Sequence, residues 1–205
     1  MALGDVSPFH RFARLYDLGM WGADRETLTA GLAVAERPVE RVVDVGGGTG
    51  RASLALPDRE TVVVDAARGM LREARGKGLA TIQGDAAALP VRDESVDAVL
   101  VVDALHHMAD PVGVFAAARR ALRPGGVLVI REFDLTTLRG RGVVLGERVV
   151  GFDSQFWSPA ELRDLLAAAG FEARVVEGGF GYTVAGVVVA EGPASGGNST
   201  AESDE

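Results

Sequence analysis

Asp44, Asp65, Asp85 and Asp103 each stand at or just beyond the end of a short apolar run. Between the first two lies a turn with glycine at positions 46, 47, 48 and 50. Glycines allow positive φ and let a ligand reach the main chain without a Cβ in the way. Carboxylates suit a polyhydroxylated, amine-bearing small molecule. Each accepts two hydrogen bonds at the separation of a ribose diol, and each can take a bond from an amine that only donates. His106 and His107 follow Asp103 closely. Imidazole titrates near neutrality, so either could take a proton from an oxygen or acidic-carbon nucleophile; otherwise one caps or packs and the other faces solvent.

The elements that must carry these groups are legible from pattern. Val42, Val43 and Val45 form a β-branched run of the kind buried on both faces of a parallel sheet. Ala52 to Leu56 resume as a helix start, so Asp44 to Ala52 reads as strand, glycine turn and helix N-terminus. Glu60–Asp65, Ala80–Gln83, Ser95–Val102 and Val127–Ile130 read as further strands. Asp65 lies about twenty residues past the turn, where a βα unit delivers an acid to ribose hydroxyls, although an acid there also caps helices. Helices are expected over Asp24–Glu36, around Met70–Ala74, over Pro111–Leu122 and after Ser158, where Ser158 and Glu161 form a capping box with Pro159 in the first turn. Phe171–Val176 and Tyr182–Ala190 are joined by a link too short for a parallel crossover, so they must be antiparallel. Phe9, Phe12, Tyr16 and Met20 share one side of an N-terminal helix. The region 135–158 fits no single period, and its Phe156 and Trp157 are candidates either for a substrate wall or for core.

The chain has 205 residues, 47% of them hydrophobic and 24% charged, which suits one globular domain. It has no cysteine and three histidines, so disulfides, thiolate metal sites and cysteine nucleophiles are excluded, and no metal is expected. Its net charge of −8 argues against nucleic-acid binding, which needs a basic face. No apolar run is long enough to cross a bilayer and the N-terminus has no secretory pattern, so a cytoplasmic location is expected. Residues 192–205, rich in Gly, Ser and acids, are expected to be a disordered tail.

A dinucleotide fingerprint starting at Gly46 would need its third glycine at position 51, where the chain has Arg51. The pattern present is Asp-x-Gly-x-Gly-x-Gly, carried by Asp44, Gly46, Gly48 and Gly50. It resembles the first motif of the class I S-adenosylmethionine-dependent methyltransferases. Four more segments resemble that family in order: Tyr16-Asp17, the Gly84-Asp85-Ala86 loop, Leu105-His106-His107, and Leu122-Arg123-Pro124-Gly125-Gly126 before the fifth strand. The histidine run is nearest the ubiquinone/menaquinone-type small-molecule branch.

The resemblance implies a Rossmann-like α/β fold, with a seven-stranded, mostly parallel sheet in the order 3-2-1-4-5-7-6, the last strand antiparallel and helices on both faces. It divides the chain into an N-terminal helical lid (1–36), a methyltransferase domain (37–191) and the tail. It implies S-adenosylmethionine as cofactor. Asp44, Gly46, Gly48 and Gly50 would meet its amino-acid end, Asp65 and Ala66 its ribose, Asp85 and Ala86 its adenine, and Asp103 would also face it. Tyr16, Phe156 and Trp157 would line the substrate site, with His106 or His107 as base. The activity implied is in-line transfer of a methyl group to an oxygen, nitrogen or acidic carbon of a small molecule. A nicotinamide-dependent oxidoreductase and a non-catalytic cofactor-binding subunit are the alternatives, and a homodimer is the one self-association held open.

Overall fold

The computed structural model describes residues 24–134, 155–179 and 181–189. The N-terminal stripe with Tyr16 and the tail lie outside them. Seven strands form one sheet: β1 (Arg41–Val45), β2 (Glu60–Asp65), β3 (Ala80–Gln83), β4 (Val96–Val102), β5 (Leu122–Phe133), β6 (Glu172–Glu177) and β7 (Gly181–Val187). Their order is β3-β2-β1-β4-β5-β7-β6. The first five are parallel, and β7 runs antiparallel to both β5 and β6. This is the order and the reversed last strand that the resemblance implies.

Alternation along the strands divides the core in two. Val43, Val45, Val99, Val101, Leu128 and Ile130 face one side. There they pack with helix α4 (Pro111–Ala121), through Val114 and Phe115, and with α5 (Pro159–Ala168), through Leu162 and Leu166. Val42, Ala98, Leu100, Val127 and Val129 face the other side, against Leu28 and Leu32 of α1 (Arg25–Leu32) and Ala52 of α2 (Arg51–Leu54). Helix α3 (Arg68–Gly76) follows β2 and buries Met70, Leu71 and Ala74. Helices therefore cover both faces, as a parallel sheet requires.

Two boundaries differ from expectation for local reasons. The helix expected over Asp24–Glu36 ends at Leu32, because the amides of Val34 and Ala35 reach back only three residues, tightening the backbone into a turn. The amide of Glu36 then donates to the carbonyl of Gly125 instead of continuing a helix. Strand β5 begins at Leu122 rather than Val127: Leu122 pairs with Val96, the register slips, and pairing resumes at Val127 with Ala98. The slip holds Pro124 and the left-handed Gly125 (φ 75°) as a bulge. Gly125 also donates to the carbonyl of Val188 at 2.8 Å, which fixes the end of β7.

Candidate active site

The C-terminal ends of β1, β2 and β4 converge on the glycine turn. Asp44, one residue before the end of β1, is fully buried. Its Oδ2 accepts from the amide and the hydroxyl of Ser53 on α2, at 3.2 and 2.8 Å. Its Oδ1 has no hydrogen-bond partner. Burial pushes the Asp44 carboxyl up to about 6, against the stabilising bonds from Ser53. The turn passes directly over this group, since a Cβ on Gly47 would lie 2.5 Å from the Asp44 carboxyl carbon.

Gly46, Gly48 and Gly50 all have positive φ, for different reasons. A Cβ on Gly46 would come within 2.9 Å of Ala104 and Met108, so the turn abuts the loop that carries both histidines. A Cβ on Gly50 would run into Leu79. A Cβ on Gly48 would meet only the Met70 sulfur at 3.8 Å, so the protein's own packing does not demand glycine there. The backbone conformation does, and space is left over that residue.

Asp65 closes β2 and grips the turn. Its Oδ2 accepts from the Gly48 amide at 2.9 Å and its Oδ1 from the Ala67 amide at 2.7 Å. The neighbouring Ala66 carbonyl accepts from the Gln83 side chain. Asp85 precedes a single 3-10 turn (Ala86–Ala88) and accepts from the Ala87 amide at 2.9 Å, which orients the Asp85–Ala86 loop at the end of β3.

Asp103, just past β4, is buried with φ 51°, a left-handed conformation uncommon outside glycine. Arg131 donates to its Oδ1 at 2.9 Å, Arg51 stands 3.9 Å from Oδ2, and Oδ2 has no hydrogen-bond partner. Burial raises its pKa to about 6, with Arg131 pulling the other way. A cleft is lined by Asp44, Gly46, Gly48, Thr49, Arg51 and Val102. Asp44, Asp65, the turn and Asp103 are thus assembled in one place, while Asp85 and Ala86 stand beside it at the end of the edge strand.

The two histidines occupy a short 3-10 turn (Leu105–His107) beyond β4. His106 is 2% exposed, and its Nδ1 lies 2.7 Å from Oε2 of Glu132, itself 1% exposed on β5. Oε1 of the same carboxylate accepts from the His106 amide at 3.2 Å. The Phe156 ring stacks on His106 at 4.9 Å and 16°, and His107 lies against it at 4.0 Å. The Gln155 amide donates to the His106 carbonyl, fastening this segment to the histidine turn. Burial, then the Glu132 carboxylate, push the Tyr182 hydroxyl's pKa upward. That phenol stays protonated and donates to the Trp157 carbonyl at 2.9 Å. Trp157 is partly buried against the core. Sequence reasoning gave Glu132 no role. Its signal was available: β4 and β5 are adjacent parallel strands, so a residue near the end of β5 must meet the turn that follows β4.

The donor set suits an S-adenosylmethionine-type molecule. A buried carboxylate oxygen without a partner lies beneath a turn with room over Gly48, and a second carboxylate stands at the end of the next strand. Among the described residues, no group of three His, Cys, Asp or Glu could hold a metal ion, and no helix is long and apolar enough to cross a membrane.

Comparison with known proteins agrees with this geometry. Residues 43–130 match the family model described as "Methyltransferase domain". The chain is 39% identical over 146 residues to a malonyl-[acyl-carrier protein] O-methyltransferase of Xylella fastidiosa, covering 66% of this chain and 50% of that protein. It is 40% identical over 135 residues to a demethylmenaquinone methyltransferase of Beutenbergia cavernae, covering 62% and 56%. The chain thus spans about half the length of the curated relatives it matches. Among solved structures, a SAM-dependent methyltransferase of Thermotoga maritima, described as a possible histamine N-methyltransferase, superimposes with TM-score 0.70 at 27% identity, covering 87% of this chain and 97% of that one.

Proposed function

We propose that the chain is a class I S-adenosylmethionine-dependent methyltransferase, a reading supported by the methyltransferase domain matched over residues 43–130 and by its similarity to methyltransferases, and that it transfers a methyl group to an oxygen, nitrogen or acidic carbon of a small molecule. One observation carries this reading: the glycine turn is held between the Asp44 and Asp65 carboxylates, with an Asp44 oxygen left unbonded beneath it. S-adenosylmethionine would supply a methyl group made electrophilic by its positively charged sulfur. Asp44 and the turn would hold its amino-acid end, Asp65 its ribose and the Asp85–Ala86 loop its adenine. Asp103, held by Arg131 at Oδ1 and without a hydrogen bond at Oδ2, would face the cofactor from the end of β4. The remaining work of the chain is alignment, exclusion of water and proton removal, which together can supply several kcal/mol of a barrier. His106 or His107 takes the proton when the acceptor carries one.

Phe156, stacked on His106, and Trp157 would form the acceptor's wall, with Tyr16 a further candidate for it. A small-molecule acceptor and a cytoplasmic location fit this reading. The nicotinamide alternative is not favoured, because Arg51 occupies the third glycine's place and lines the cleft. The test is incubation with S-adenosylmethionine labelled on its methyl carbon and a bacterial metabolite extract. Label passing to a small molecule is the expected result. Label remaining wholly on the cofactor, in a preparation that binds S-adenosylhomocysteine, would reduce the chain to a binding protein.

A further inference from the structure

The loop that carries Asp85 and Ala86 is clamped from outside by one helix. Its 3-10 turn spans Ala86–Ala88, with Asp85 before it and Leu89 after it. A turn this short leaves the carbonyls at its end without donors of their own, and Pro90, which has no amide hydrogen, cannot continue it. Arg120, in the last turn of α4, supplies the donors. Its Nη2 donates to the carbonyl of Leu89 and its Nη1 to the carbonyl of Val91, both at 2.8 Å and across 31 and 29 positions of chain. These two carbonyls flank Pro90, whose ring lies against the other end of the loop. A Cβ on Gly84 would come within 2.8 Å of the Pro90 Cγ and Cδ. Whatever fixes Pro90 therefore fixes Gly84, the residue before Asp85. Helix α4 also meets the middle of the turn, since a Cβ on Gly113 would lie 3.0 Å from Ala87. The amide of Glu94 donates to the carbonyl of Arg120 itself at 2.9 Å, so loop and helix end are joined through the main chain as well. Arg120 also pairs with the exposed Asp93, but ion pairs so open to water stabilise a fold little. A planar fork spanning two carbonyls, by contrast, fixes position.

We infer that Arg120 is the positioning residue of the adenine loop: it holds the carbonyls on either side of Pro90, so that the proline ring sets Gly84 and the Asp85 carboxylate is directed at the amine of the base. The inference rests on the cofactor reading above and deepens it, by tying base selectivity to a residue of α4 outside the loop. A carboxylate accepts from an amine, whereas a carbonyl at the same ring position is itself an acceptor and meets Asp85 unfavourably. The contrast depends on direction, because hydrogen bonds weaken steeply as their angle closes. A loop without its anchor at Leu89 and Val91 keeps the Asp85 charge and loses its aim. Arg120 therefore governs which base is bound more than how firmly the rest of the cofactor is held.

The test compares S-adenosylhomocysteine with S-inosylhomocysteine, in which a carbonyl replaces the amine, by calorimetric titration. Wild-type protein should prefer the adenine compound by about 10- to 100-fold, the range for one hydrogen bond to a charged group. Asp85→Ala should bring the two affinities close together. Arg120→Met should reduce the preference to about threefold or less, with affinity for the inosine compound changed by less than about twofold. Arg120→Lys keeps a charge beside Asp93 without the fork, and should behave as Arg120→Met does. Asp93→Asn removes the ion pair, leaves both carbonyl bonds and should keep the wild-type preference. Arg120→Met combined with Asp85→Ala should discriminate as Asp85→Ala alone does, because the two residues act as one unit. A merely structural Arg120 would weaken both compounds alike, so equal losses in Arg120→Met or Arg120→Lys would overturn the inference. Loss of the preference in Asp93→Asn would overturn it too, by moving the role to the ion pair. Should Arg120→Met not fold, Arg120→Lys and the wild-type preference decide. If wild-type protein bound no S-adenosylhomocysteine, the methyl-transfer reading would fail, and this inference with it. Binding without any preference between the two bases would sink this inference alone.

Discussion

The two edges of the sheet bury the same kind of side chain and treat it in opposite ways. At the edge where the parallel strands begin, Asp97 of β4 is 2% exposed and fully engaged. It accepts from the amides of Glu40 and Arg41 at 3.1 and 2.9 Å, from Arg123 at 2.9 Å, and has Arg37 at 3.0 Å. Although burial opposes it, these donors hold its carboxyl below the usual range. At the edge where those strands end, Asp44 and Asp103 are as deeply buried, each has one oxygen without a hydrogen bond, and each is raised to about 6. A buried carboxylate whose bonds are all made is a fastening. One left short of donors is a cost to the fold, kept where a ligand could supply what is missing.

The largest test of this contrast is Asp97→Ala. It leaves Arg37 and Arg123 beside each other with two backbone amides exposed to a void, and should cost about 3–5 kcal/mol in urea unfolding. Cofactor affinity measured by calorimetry should stay within about twofold. A large loss of affinity with intact stability would erase the distinction between the edges.

Asp44→Asn should move stability the other way. A carboxyl raised from 3.8 to about 6 holds, in the folded state, a proton that the unfolded chain releases. Its contribution to stability is therefore lost as pH rises from about 4 to 6, and the cost is complete by pH 7. Removing the charge should stabilise the protein at pH 7 by about 2–3 kcal/mol and flatten stability over that window. The gain should vanish near pH 4, and cofactor binding should weaken. Asp97, with its lowered value, behaves inversely: its contribution is present above the ordinary carboxyl range and is lost as pH falls through the folded value. Unfolding curves of Asp44→Asn that parallel wild type from pH 4 to 7 would contradict the account.

Much of how the candidate site is assembled is legible in the sequence, and the reason is local. A β-branched run, a glycine turn and an acid about twenty residues on lie in one βαβ unit, so their meeting follows from chain order. The same holds for the closing hairpin, where a short link leaves one geometry. What escaped notice depends on distant partners. Asp97 resembles any acid near the start of a strand until residues 37, 40, 41 and 123 are brought around it. Glu132 looked like a strand's polar end until β5 set it beneath His106. The bulge at Pro124 and Gly125 was visible as a turn, but only the register slip shows that β5 runs through it.

Two smaller effects sharpen the comparison. Gly48→Ala places a Cβ at φ 57° with no packing clash, so backbone strain alone should cost about 1–2 kcal/mol. Cofactor affinity should drop by more than that strain explains, because the new methyl fills the space over the turn. Ser158→Ala removes the capping box of α5 without touching the glycine turn or the carboxylates around it, and should cost about 1 kcal/mol with cofactor affinity unchanged. Chemical denaturation paired with calorimetry reads both.

The most direct measurement is calorimetric titration of S-adenosylhomocysteine into the wild-type chain and into Asp65→Ala. Saturable heat from the wild type, with affinity reduced by about 10- to 100-fold in the variant, is what a charged ribose contact at the end of β2 predicts. No binding heat from the wild type, or equal affinity in the two proteins, would contradict the account.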